Sequence, residues 1–249
     1  MLASSRVYRH WPDSNQHLSF PKGFWGDPEL LRSLSDYFNK FFSPRTPVLP
    51  SHIALAPGAA GCIDAVLFNI CDPHDGVLVP APYWSNVLDH SSKERRWPVA
   101  DGYDSFCRLR ADVVPVMVPI PRLEEPASFL SELEATFQKA TCPIKALMLS
   151  NPHNPLGRCF TRAQLEACLR FCQAKAIHLI SDEVFGPLTF DSPDLPADEH
   201  FVSVLSLDSH ALGCDPSRVH MIWSPSKVFA ISGMRLVSPV PSRHRPLPP

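Results

Sequence analysis

The chain holds 249 residues, enough to bury a substantial core, with 28 prolines against only 10 glycines, roughly twice the usual proline share. Apolar residues at 45% and charged residues at 19% exclude general disorder. With 23 Lys and Arg against 25 Asp and Glu, the net charge of −2 and the lack of a long basic run argue against a nucleic-acid partner.

No apolar stretch approaches the ~20 residues needed to span a bilayer, so no membrane role is expected. Residues 1–14 lack the apolar h-region of a secretory leader. The eight cysteines show no C-x-x-C pair and no completed zinc set. A cytoplasmic protein with reduced thiols and no metal is expected.

Residues 1–25 are polar and aromatic without periodicity and read as an arm. A helix then starts at Asp27 as N-cap with Pro28 in the first turn, and Leu30, Leu31, Leu34, Tyr37, Phe38 and Phe41 follow at helical spacing. Ser43-Pro44 closes it. From residue 52 onward, short apolar runs at 52–56, 76–80, 113–118, 145–150, 177–181 and 219–223 read as strands. Helical stretches fall between several of them, most plainly at 60–71, 127–140 and 161–175. Apolar strands alternating with amphipathic helices predict an α/β fold, a mainly parallel sheet with helices on both faces. In such sheets ligands gather at the carboxyl ends of the strands.

Three strand ends carry chemistry. The run 145–150 leads into Asn151-Pro152-His153-Asn154-Pro155-Leu156-Gly157. The run 177–181 ends in Asp182-Glu183-Val184-Phe185. The run 219–223 leads into Ser224-Pro225-Ser226-Lys227, with Gly233-Met234-Arg235 shortly after. Taken singly, a strand-end Asp is usually a helix cap, Asn-Pro a turn, and a lone Lys a solvated charge. Upstream, Pro57-Gly58-Ala59-Ala60-Gly61 opens a helix whose N–H groups can bind phosphate, although tight packing explains the small residues equally well.

In this order, together with Ala81-Pro82-Tyr83-Trp84, the motifs resemble the class I/II aminotransferase family of fold type I pyridoxal-phosphate enzymes. Within it, the wording is most similar to fungal 1-aminocyclopropane-1-carboxylate-synthase-like proteins. The resemblance runs from about Phe20 to Leu236. It implies pyridoxal 5′-phosphate as cofactor, an α-amino acid as small-molecule substrate and a homodimer as assembly. Residue by residue it makes Lys227 the catalytic Schiff-base lysine, Asp182 the partner of the pyridine nitrogen and Asn154 the partner of the ring oxygen. Gly58, Ala59, Ala60, Ser224 and Arg235 become phosphate ligands, and Trp84 stacks on the ring, with a core tryptophan as the alternative. Transamination is the activity it implies first. A C–S or cyclopropane-forming lyase of secondary metabolism is the second reading, and a non-catalytic remnant of the fold the third.

The sequence departs from the family at several points. Phe185 stands where the family usually has a tyrosine that also reaches the ring oxygen, Phe20 replaces an N-terminal tyrosine, and Val228 replaces an acidic residue. Residues 85–100 interrupt the family pattern as a polar insertion, and the match stops after Leu236. The expected organisation is an arm and helix over 1–44, a cofactor-binding large domain over 45–236, and an unstructured tail over 237–249. The family's C-terminal small domain, with the arginine that grips the substrate carboxylate, is expected to be missing. Codons for Val237-Ser238 and for the ends of the insertion can spell splice signals, so both segments read as translated intron.

Overall fold

The computed structural model describes residues 26–84, 102–108, 111–120, 126–190, 200–232 and 236–241. The first helix, α1 (Pro28–Phe41), starts as its sequence dictates: the Asp27 carboxylate accepts the N–H groups of Glu29 at 2.9 Å and Leu30 at 3.1 Å. Then follow β1 (Ala56–Pro57), α2 (Gly58–Ile70), β2 (Gly76–Ala81), α3 (Tyr103–Arg108), β3 (Val114–Pro119), α4 (Pro126–Lys139) and β4 (Ile144–Ser150). The rest comprises α5 (Arg162–Lys175), β5 (His178–Asp182), β6 (Val219–Trp223), α6 (Pro225–Val228) and β7 (Leu236–Pro241). At α5, Thr161 and Gln164 cap each other reciprocally, and Ala176 in the left-handed region ends the helix.

The strands form one seven-stranded sheet in the order β1-β7-β6-β5-β4-β2-β3. The five strands from β3 to β6 are parallel to one another, and β7 is antiparallel to both of its neighbours. Alternate strand residues feed two cores, as the two-residue period of a doubly covered sheet requires. Leu78, Leu147, Leu179 and Met221 pack with side chains of α1, α4 and α5. Val77, Ala146, Ile180 and Ile222 pack on the opposite face with α2 and α3. The expected α/β architecture with helices on both faces is the one observed.

Two expectations change. The run 52–56 is not a strand: Pro50–His52 form a 3-10 turn, and only Ala56–Pro57 join the sheet. Among the described residues it pairs with Val237 and Leu236 of β7 alone, so the residues upstream of Ala56 have no ladder there to enter. The tail from 237 is not unstructured at its start, because residues 237–241 belong to β7 and pair with β6 over His220–Trp223. Pro239 and Pro241 lie two apart, so their missing N–H groups face the same side of the strand. Among the described residues β1 pairs only with residues 236 and 237, so β7 beyond them has β6 as its neighbour on one side alone. Residues 242–249 and the whole of the insertion 85–100 lie outside the described residues, as does Phe20.

Candidate active site

Parallel register brings the three chemical strand ends to one edge. Ser150 is the register partner of Asp182, and Asp182 of Ile222. The ladder runs one step beyond the strands: Asn151 N–H donates to the Asp182 carbonyl at 2.9 Å and Glu183 N–H to the Ile222 carbonyl at 2.8 Å. The 151–160 turn is therefore anchored at its base, and Asn151 fixes it further by accepting the Phe160 N–H. Asn154 is half-buried in that turn, with its N–H on Ser150 Oγ at 3.3 Å.

Asp182 is the electrostatic centre. It is buried, its Oδ2 accepts the Tyr103 hydroxyl at 2.7 Å, and its Oδ1 accepts the Val184 N–H at 3.2 Å. Burial pushes its pKa up, while those two hydrogen bonds and the Lys227 charge pull against the shift. Its neighbour Glu183 is fully buried and accepts Ser181 Oγ and Val204 N–H on Oε1, each at 2.9 Å. Burial raises Glu183 to about 7. Glu183 ties strand β5 to the 203–206 turn, whereas Asp182 turns toward the strand edge.

Lys227 lies in α6, directly after β6, and is exposed, with Nζ 5.4 Å from the centre of the Phe185 ring. Ser224 is the N-cap of that turn, accepting the Ser226 N–H at 3.1 Å. On the far side, β1 runs in the same direction as β6, so the N-terminus of α2 opens at the same edge. Among the described residues no side chain caps α2, and Gly58 begins it with φ +78°, a conformation that favours glycine. An uncapped helix start of this kind suits an anion such as a phosphate, with Gly58, Ala59 and Ala60 supplying N–H groups. Trp84 is exposed, not a core tryptophan, and stands edge-on to Tyr103 with ring centres 5.9 Å apart. Arg235 lies outside the described residues. The structure thus brings Gly58, Ala59, Ala60, Trp84, Asn154, Asp182, Phe185, Ser224 and Lys227 to one edge of the sheet. These groups match the donor set that a phosphorylated, aldehyde-bearing heterocycle needs.

Two participants were not singled out from the sequence. Tyr103 reaches Asp182 across 79 positions, a contact that no local pattern announces. His153 is buried, has no partner for Nδ1 among the described residues, and lines a cleft of about 320 Å³ shared with Asn154, Cys159, Phe185, Leu188 and Phe190. Burial lowers its pKa to about 4, so the ring is neutral near pH 7. Among the described residues no cluster of potential metal ligands occurs, and no helix is long and apolar enough to cross a membrane.

The family model for aminotransferase class I and II matches residues 13–92 and 116–237. A probable aminotransferase of Aspergillus oryzae (aclI) is 43% identical over 222 residues, covering 88% of this chain and 49% of that protein. The 1-aminocyclopropane-1-carboxylate synthase 6 of Arabidopsis thaliana is 28% identical over 216 residues, covering 86% of this chain and 39% of that protein. Among solved structures, a tetra mutant of Thermus thermophilus aspartate aminotransferase superposes with a TM-score of 0.67 at 24% identity. That likeness, which shows the fold, covers 91% of this chain and 53% of the other. The chain spans about half the length of the curated relatives it matches. A family match over both halves of the sheet, on the strand ends that carry Asn154, Asp182 and Lys227, makes this chain a member of the aminotransferase class I and II family.

Proposed function

We propose that the chain binds pyridoxal 5′-phosphate at this strand edge and serves an aminotransferase-type reaction on α-amino acids, with Lys227 joined to the cofactor aldehyde as a Schiff base. The convergence of Asn154, Asp182 and Lys227 on successive parallel strand ends, beside the uncapped start of α2, carries the reading. When bound, the cofactor supplies an electron sink for a carbanion at the substrate Cα. Asp182 would keep a proton on the ring nitrogen, and Asn154 would hydrogen-bond the ring oxygen. The N–H groups of Gly58, Ala59 and Ala60, with Ser224 and Arg235, would hold the phosphate. Trp84 would stack on the ring. Lys227, with its amine free, would act as the general base toward the Cα proton. Phe185 has no hydroxyl to offer the ring oxygen, which leaves Asn154 as the donor from this pair.

Transamination ranks ahead of elimination because the relative called a probable aminotransferase is 43% identical and the cyclopropane synthase 28%. From the family resemblance we also propose a homodimer, and from the cysteines, which form no disulfide among the described residues, a cytoplasmic location. The test is the absorbance of the purified chain after incubation with pyridoxal 5′-phosphate and removal of unbound cofactor by gel filtration. A new absorbance band between about 330 and 430 nm in the wild type, lost in Lys227→Ala, is the expected result. A wild type without the band, or a Lys227→Ala variant that keeps it, overturns the proposal. Product analysis with an amino-acid panel then separates keto-acid formation from release of a β- or γ-substituent.

A further inference from the structure

Tyr103 has no role in the scheme above, yet it is fixed more tightly than a packing residue requires. Its side chain is buried, and its hydroxyl donates to Asp182 Oδ2 at 2.7 Å, with the Ser150 side chain as a further hydrogen-bond partner. Its backbone N–H donates to the Trp84 carbonyl at 3.2 Å. Its ring is stacked on Tyr83 with centres 6.1 Å apart and meets Trp84 edge-on. Tyr83 is in turn held by its hydroxyl on Asp104 at 2.9 Å. One side chain therefore joins the ends of β2, β4 and β5, the strands that deliver Trp84, Asn154 and Asp182.

We propose that Tyr103 is a positioning residue that holds the Asp182 carboxylate, through Oδ2, in the orientation and charge state that receive the cofactor's ring nitrogen. The inference rests on the cofactor reading above. With Val184 N–H on Oδ1 and Tyr103 O–H on Oδ2, the carboxylate is held at both oxygens, each with a further lone pair to offer. Burial favours the neutral acid, and a neutral carboxyl group cannot stabilise a protonated ring nitrogen. A hydrogen bond to the charged form opposes that tendency, and the phenol stays a donor because burial and Asp182 raise its own pKa well above 10.

The test compares two ligands on the full chain: pyridoxal 5′-phosphate, and its 1-deaza analogue, in which a C–H replaces the ring nitrogen. Tyr103→Phe removes one oxygen and keeps the ring contacts, and Ser150 retains the Pro152 carbonyl as acceptor at 3.1 Å. If Tyr103 acts through Asp182, Tyr103→Phe weakens binding of the natural cofactor by roughly tenfold, as loss of a charge-assisted hydrogen bond does. Binding of the deaza analogue stays unchanged. In an Asp182→Asn background, Tyr103→Phe has no further effect on either ligand. Equal weakening of both ligands makes Tyr103 a structural residue only and overturns the proposal, as does no weakening of either. A Tyr103→Phe chain that does not fold, by circular dichroism, also overturns it, because its contribution is then to the core. A wild type that binds neither ligand removes the cofactor reading itself, and this inference with it.

Discussion

Replacing Glu183 by glutamine removes a buried charge from the base of the site without changing the shape of the side chain. Glu183 is fully buried, and its pKa rises from 4.5 to about 7, first because of burial, with hydrogen bonds that include Val204 N–H and Ser181 Oγ opposing. A folded-state value above the unfolded one means that the native state binds the extra proton between about pH 4.5 and 7. The associated stability is fully present below pH 4.5 and is lost as pH rises through 7. The displacement corresponds to about 3 kcal/mol, to order of magnitude. Glutamine keeps the Oε1 acceptor and does not ionise. Urea unfolding of wild type and Glu183→Gln from pH 5 to 8.5 isolates the contribution, because other titrating groups enter both curves. Wild-type stability minus variant stability should fall by about 3 kcal/mol across this range, mostly between pH 5.5 and 7.5. A difference that stays flat, or that rises with pH, refutes the buried-carboxylate account of the β5 end.

His153 has the opposite sign: burial lowers it from 6.5 to about 4, so stability is lost as pH falls from 6.5 toward 4, and His153→Phe should flatten that acid limb in the same assay. Asp27→Ala should cost about 1 kcal/mol in urea unfolding, since it strips the Glu29 and Leu30 N–H groups of their acceptor. Gly186→Ala should destabilise the Phe185 turn, because its Cβ would lie 2.5 Å from Phe201 Cζ; a melting temperature equal to wild type would contradict it. Deleting residues 85–100 should leave a folded chain with an unchanged or higher melting temperature. Trp84 O already accepts the Tyr103 N–H at 3.2 Å, and Gly102 has φ +108°, so Trp84-Asp101-Gly102-Tyr103 would close as a tight turn. Loss of folding in that variant would show the segment to be integral. Transcript sequencing is the separate check on whether 85–100 and 237–249 are intron-encoded; a mature message retaining both stretches as coding sequence would contradict that origin.

Much of the fold is legible because its signals are local. Asp27-Pro28 and Thr161 start helices with their own side chains, and the apolar runs from 76 to 223 are long enough to be fully buried strands. The chemical residues could be read for a related reason, since each stands directly after such a run, where parallel register places it at the common edge. What escaped is non-local. The partnership of Tyr103 with Asp182 depends on how α3 packs against α2 and β3, and the strand character of 237–241 depends on pairing with the edge of β6. Proline at 239 and 241 argued against any strand, yet 238–241 pair with β6 at the part of β7 that β1 does not reach. The helix α3 itself spans six residues and carries too little periodicity to be read.

The account turns on which lysine meets the cofactor. Incubation with pyridoxal 5′-phosphate, reduction with borohydride to fix any imine, proteolysis and peptide mass spectrometry test this most directly. A pyridoxyl label confined to Lys227 is the predicted result. Absence of label, or label on a lysine away from this edge such as Lys145 or Lys175, contradicts the assignment of the site.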